Sequence, residues 1–292
     1  MMTQESPPLD PATPGTMPVL QKGMKHVSVR RSEVVFVGIP TYDQRVSAGT
    51  MMAVLVGGRN VRCVVQYGNA SLLAHNFNIL LSAALNLRWQ VGLTHFLLLH
   101  ADVVPHGERW LETMLDEMER HHVQVLSAVI PIKDHRGLTS TALDTSGLKD
   151  VEPWRCRRLT LTECDKLPVT FDGREAAAGI DLWPKHLEPV LLVNTGLMLI
   201  DLRAKWVDDV CFTVRDQIGR NAEDRRTAYC EPEDWGFSRW LHSRCIPYKA
   251  TRCVAVGHAG NAFYESGHVW GTDEIDPTFL EDVDRLAIPK KE

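Results

Sequence analysis

The sequence predicts an α/β fold, a single domain with a mixed but mostly parallel sheet flanked by helices, and three observations predict it. Residues 96–99 (FLLL) form a short uninterrupted apolar run, the pattern of a strand buried on both faces, which stops abruptly at His100 and Asp102. From residue 34 to about 121, such runs alternate with segments of helical periodicity, as in successive βαβ units. The 292 residues are 44% hydrophobic and 24% charged, sufficient for one large core.

Composition also narrows the function. A net charge of -5 leaves no overall electrostatic footprint for nucleic acid or an anionic membrane. Seven scattered cysteines without a CxxC pair argue against a zinc ribbon or disulfide framework and for a reducing, cytoplasmic compartment. Neither an eighteen-residue apolar run nor a signal-peptide pattern is present, so no membrane span is expected.

Taken in order, residues 1–28 hold Pro7, Pro8, Pro11, Pro14 and Pro18 with few large apolar groups, and are expected to be a disordered tail. A buried strand at 34–37 ends in a polar loop containing Gly38, Pro40, Thr41 and Asp43. A helix at 48–57 and a strand at 62–66 follow. Residues 71–86 place Leu72, Phe77, Leu80, Leu81 and Ala84 at helical spacing, with Ser71 a candidate N-cap. The central strand, a helix at 108–121 and a strand at 123–131 complete the regular half. Right-handed crossovers put the loops 38–47, 66–71 and 100–106 along one sheet edge. Asp102 then lies where ligands of open α/β sheets bind, although a turn aspartate capping the next helix is an equal reading of that residue alone.

Residues 133–190 lose periodicity and read as a structured insertion. At 190–202, two apolar segments flank Asn194, Thr195 and Gly196, and a helix is expected from about 203. Phe237, Trp240, Leu241 and Cys245 lie at helical spacing behind the acids Glu231, Glu233 and Asp234. A strand at 251–256 closes with Gly257, His258 and Gly260. Residues 276–292 form a second tail, with a short helix near 279–286.

Four stretches stand out in this order: VVFVGIPTYD, LLAHNFNILLSAALN, FLLLHADVVP, and NTGLMLID followed by EPEDWGFSRWL and VGHAG. In order and spacing they resemble the GT-A fold glycosyltransferases, in particular the family-two-like bacterial and phage enzymes, over residues 33–262. The resemblance implies a Rossmann-like nucleotide-diphospho-sugar transferase domain over 29–275, with 133–190 on the acceptor side. It implies a UDP- or GDP-sugar donor, a Mn²⁺ or Mg²⁺ ion, and a hydroxyl acceptor that is a glycan, a small molecule or a modified DNA base. Two positions depart from the pattern. The Asp-x-Asp of the metal strand reads His100, Ala101, Asp102 here, and the arginine of the second motif is His75.

The chemistry assigns expected roles. A divalent ion would neutralise the leaving diphosphate, with Asp102 its first ligand and His258 its second; a surface-loop histidine is the plainer reading of His258. His100 would either ligate or hydrogen-bond the sugar or a phosphate, and Ala101 would lie in the donor site. Asp234 is expected to be the general base of an inverting transfer, with Glu233 the alternative base or an orienting partner. Acids in a first helical turn also complement the helix dipole, and an arginine would absorb one of them. Pro40, Thr41, Tyr42 and Asp43 would cradle the nucleotide, Tyr42 stacking on the base. Gln66 and Asn69 would read the base edge, and His75 and Asn76 would reach the diphosphate or ribose. Asn194, Thr195 and Gly196 would sit against sugar or acceptor, and Lys133 would pair with a phosphate. Trp154 and Trp183 would form an acceptor platform, or core. The missing first carboxylate leaves a catalytically silent nucleotide-sugar-binding protein as the alternative.

Overall fold

Continuous apolar runs need cover on both faces, and in the computed structural model they receive it. Residues 31–146, 156–180, 183–220 and 224–274 are described; both expected tails, the helix at 279–286 and Trp154 lie outside them. The first half of the chain forms β1 (Val34–Thr41), α1 (Ala48–Gly57), β2 (Arg62–Asn69), α2 (Leu73–Val91), β3 (His95–Leu99), β4 (Val103–Pro105), α3 (Trp110–Arg120) and β5 (Val125–Ala128). The insertion supplies β6 (Leu138–Asp144), β7 (Cys156–Thr160), α4 (Leu161–Lys166), β8 (Thr170–Phe171) and α5 (Gly173–Ala178). Then come β9 (Leu191–Leu192), β10 (Leu197–Asp201), β11 (Arg215–Arg220), β12 (Arg226–Glu231), α6 (Glu233–Ser243), β13 (Tyr248–Thr251), β14 (Val256–Ala259) and β15 (Phe263–Glu265).

Seven strands form the main sheet in the order β2-β1-β3-β10-β5-β13-β8. β1, β2, β3, β5 and β13 run one way, and β10 and β8 run against them. Residue alternation sorts the strands onto two cores. Phe36, Phe96, Leu98, Met198 and Ile200 pack with Phe77 and Leu80 of α2 and Phe237 of α6. Val35, Val37, Leu97, Leu99, Leu197 and Leu199 pack on the other face with Trp110, Leu111 and Met114 of α3. Each fully buried Phe or Leu contributes about 1.5–3 kcal/mol, so the double-sided pattern accounts for the strands' lack of polar residues.

The topology sets the functional edge. The parallel strands end, and the antiparallel β10 begins, on the same side, so 42–47, 100–102 and 193–196 are neighbours there. The small sheet β15-β14-β4 lies against this edge, with His258 opposite Val103.

Several local expectations change. The helix expected from 203 is a 3-10 turn at Lys205–Asp208, because Asp201 takes the Arg203 backbone N–H and Trp206 turns its indole to Gln124 Oε1. The hairpin β11–β12 follows it. Helix α2 starts at Leu73 after an uncapped Leu72, so Ser71 is not its N-cap. The strand expected at 251–256 is broken in two by a turn in which Thr251 Oγ1 accepts the Cys253 N–H. Cys245 lies beyond α6, exposed and with φ of 53°.

Candidate active site

The cleft begins where β1 stops. The Thr41 hydroxyl donates to the Gly68 carbonyl at 2.9 Å, and the Thr41 carbonyl accepts from Asn76 Nδ2 at 2.8 Å. The loop therefore leaves the sheet from a fixed point. Ser47 caps α1 by accepting the Thr50 N–H at 3.0 Å, while its own N–H donates to the Ala101 carbonyl at 2.8 Å. The Thr50 hydroxyl donates to the Val103 carbonyl at 2.8 Å, which clamps the start of α1 onto the turn after β3. Between loop and turn opens a cleft of about 500 Å³, lined by Pro40, Thr41, Tyr42 and Asp43 on one side and His100, Ala101 and Asp102 on the other. Val46 and Ser47 also line it, so the positive end of α1 opens into a space suited to an anion. Tyr42 is 74% exposed, with a ring face to offer.

Two groups meet at the Asp102 carboxylate. Because β14 pairs with β4, His258 comes alongside, its Nε2 3.6 Å from Asp102 Oδ2. Its Nδ1 lies 2.8 Å from the Pro131 carbonyl, which only accepts, so Nδ1 carries a proton. Lys133 Nζ donates to the same Oδ2. Burial, the largest influence on Asp102, favours the neutral acid, but His258 and Lys133 together outweigh it and hold the carboxyl far below its usual range.

His100 does not join this group. Its ring lies against Phe77, centroids 5.5 Å apart, and its Nε2 is 3.5 Å from Thr195 Oγ1. Burial drops its pKa to about 4, so the imidazole is neutral. Among the described residues no three His, Cys, Asp or Glu side chains gather closely enough to hold an ion. A hard divalent cation seeks several oxygens, whereas this set offers one carboxylate that already holds an ammonium. At an effective dielectric of 20, a divalent ion about 4 Å from an ammonium is repelled by roughly 8 kcal/mol. The donor set does not suit the expected metal, and His100, expected either to ligate or to hydrogen-bond the sugar or a phosphate, lines the cleft beside Thr195.

The acids before α6 separate into two kinds. Glu231 is bonded by Arg239, which also grips Asp144 of β6 through two bonds of 2.7 Å. Glu233 is buried and its pKa is raised by that burial. Asp234 is pushed up from 3.8 to about 7, first by burial and then by the neighbouring Glu233, against the Trp235 N–H and Arg158. A carboxylate that titrates near neutral pH suits general-base work. Its helix is tied to the cleft edge: Ser238 Oγ donates to the Asp234 carbonyl at 2.7 Å and accepts the Val193 N–H at 3.0 Å, two residues before Thr195.

Several other residues expected to contact a ligand bond to the chain itself. Asn76 is 1% exposed, and its amide serves Thr41 rather than a phosphate. Asn194 donates to the Ala128 carbonyl and accepts the Gly196 N–H, so its amide is spent on the chain. Thr195 is 2% exposed, and a Cβ on Gly196 would stand 2.7 Å from Ile130 Cδ1, so the glycine serves packing. β2 runs on to Asn69, which leaves Gln66 inside the strand opposite Gly38 and brings only Asn69 level with Thr41. His75 is exposed on α2. Trp183 packs against the core and donates to the Leu187 carbonyl. Sequence reasoning missed Ser47 and Thr50, although a serine directly before an apolar helix is an N-cap signal, and it missed the Arg239 fork, which joins positions 95 residues apart.

No protein-family model and no curated protein matches the chain. Among solved structures, A197 from STIV aligns at 13% identity over 84% of this chain and 96% of its own, with a TM-score of 0.44. A CMP:2-keto-3-deoxy-manno-octonic acid synthetase aligns at 14% identity over 87% of this chain and 98% of its own, with a TM-score of 0.35. A putative glucose-1-phosphate thymidylyltransferase from Bacillus anthracis aligns at 11% identity over 87% and 78%, with a TM-score of 0.33. The chain is similar to these in its overall course and remote from them in sequence.

Proposed function

We propose that this protein is a glycosyltransferase, moving a sugar from a nucleoside-diphosphate donor to a hydroxyl acceptor, with residues 29–275 as the transferase domain. The observation that carries the reading is the cleft itself, where the loop after β1, the positive end of α1 and the turn bearing Asp102 face one another. Tyr42 offers a stacking face for the base, and Asn69, level with Thr41, is the remaining candidate to reach its edge. In the reaction the anomeric C–O bond to the diphosphate breaks, its electron pair going to the phosphate oxygen. The acceptor oxygen bonds the anomeric carbon from the opposite face, inverting it, and the acceptor's proton passes to Asp234. The pKa near 7 lets Asp234 accept that proton and release it again at neutral pH. The insertion borders the acceptor side, since Asp144 of β6 is fastened to α6 by Arg239.

The test is a panel of UDP- and GDP-sugars, with and without glycan, small-molecule and hydroxymethylated-DNA acceptors, read as nucleotide release. Slow release by water alone, accelerated by one acceptor class, is expected. Nucleotide binding without release throughout would leave the silent binding protein, the alternative that the absent first carboxylate supports. Neither binding nor release with any donor would remove the reading.

A further inference from the structure

We propose that Lys133 is the resident cation of this site, its ammonium taking the part of a divalent ion against the donor's diphosphate, so that donor binding and cleavage need no metal. The inference rests on the nucleotide-sugar reading above and concerns only where the positive charge comes from.

Four observations lead to it. Lys133 Nζ is bonded to the carboxylate that would otherwise be the first ligand of an ion, on the oxygen that His258 also approaches. The neighbouring acid, Asp134, is not free to serve instead, because Arg136 holds it through Nη2 at 2.6 Å and through its backbone N–H. The placement is built into the scaffold: Pro131, two residues before Lys133, anchors His258 through its carbonyl, and Ile132 is pinned by its N–H to the Leu138 carbonyl at 2.9 Å. The lysine stem lies against Gly260, where a Cβ would stand 2.9 Å from Lys133 Cδ, so the glycine after β14 makes room for it.

The chemistry follows from the donor count. A lysine ammonium has three N–H donors and no acceptor. One goes to Asp102, and with the side chain 36% exposed the others remain to meet phosphate oxygens. One carboxylate and one ammonium cancel before substrate arrives, unlike a two-carboxylate site, which would have to recruit an ion to become attractive to a diphosphate. As the anomeric bond breaks, the added charge on the phosphate oxygen meets the ammonium and the positive end of α1. No proton leaves Lys133 in the step, since the acceptor's proton goes to Asp234.

The test is calorimetric titration of UDP and GDP into the full chain, in EDTA and in Mn²⁺, for the wild type, Lys133→Met and Lys133→Arg, each shown folded by its thermal melt. The expected result is wild-type affinity in EDTA within about threefold of that in Mn²⁺, a loss of at least about tenfold in Lys133→Met, and a smaller loss in Lys133→Arg, as expected for a charge-assisted contact. Wild-type binding that requires Mn²⁺ would overturn the inference and leave the donor reading standing, as would unchanged affinity in Lys133→Met. Absence of binding by either nucleotide in both buffers would remove the donor reading and the inference together. The EDTA arm needs no variant and can overturn the inference even if Lys133→Met fails to fold.

Discussion

The acids at one edge of the central sheet and those at the start of α6 are in opposite electrostatic states. At the edge where the parallel strands begin, a cavity of about 330 Å³ is lined by Glu33, His95, Asp201 and Arg203. There Arg203 grips Asp201 through Nε at 2.8 Å and Nη2 at 2.9 Å, and Arg31 holds Glu33 through two bonds of 3.3 Å. Burial works against both carboxyls, but their arginine partners prevail and both pKa values are lowered. His95 is driven to about 4 by burial and stays neutral. At the start of α6, Glu233 and Asp234 shift upward because burial is not offset by a comparable ion pair. The contrast is one of partners: acids locked to arginines titrate low, and acids buried without such a partner titrate high.

Four measurements would break or sharpen this contrast. The largest expected effect is on rate: Asp234→Asn should lower sugar transfer by about 10² to 10⁴, the usual worth of a general base, while Glu33→Gln at the far edge leaves turnover intact. Equal losses in both variants would erase the distinction. Next, Arg239→Ala should destabilise by roughly 3–5 kcal/mol in urea unfolding, since Asp144 is left 8% exposed without its fork. Arg203→Ala, on a side chain 61% exposed, should cost less than about 1 kcal/mol. The transfer rate should climb with pH up to about 7 and then level off, because only ionised Asp234 accepts the acceptor's proton. A flat profile between pH 5 and 8 would rule Asp234 out as the base. Stability should depend on pH as well. The folded state holds Asp234's proton more tightly than the unfolded chain, so this residue's contribution falls as pH rises from about 4 to about 7. Glu33 and Asp201, with lowered values, contribute in the opposite sense and lose their contribution as pH falls through the acid range. Melting curves should therefore show Asp234→Asn gaining on the wild type toward pH 8 and matching it near pH 4.

Much of the framework was legible in the sequence because uninterrupted runs such as 96–99 admit few structures other than a strand covered on both faces. The helix expected at 48–57 is α1, although the Ser47 cap that starts it was not recognised. The direction of β10 was not readable, because Leu197 to Ile200 would be equally apolar in either orientation. The hairpin β11–β12 escaped notice because RDQIGR and RTAYCE lack a regular apolar alternation. At the site, Asp102 and the loop at 40–43 were placed together from strand order alone. The roles of Asn76 and Asn194 were not, since an asparagine that serves a backbone carbonyl looks the same in sequence as one that serves a ligand. The approach of His258 to Asp102 depends on the pairing of β14 with β4, a contact between segments more than 150 positions apart that no local pattern encodes.

The clamp that joins Ser47 and Thr50 to the carbonyls of Ala101 and Val103 has a dynamic consequence. A cleft occupant that tightens the carboxylate turn must also quiet the opening of the first turn of α1, even without touching it. Deuterium uptake at the Thr50 amide should then slow when the cleft fills, making that helix end a built-in occupancy gauge for ligands whose identity is unknown.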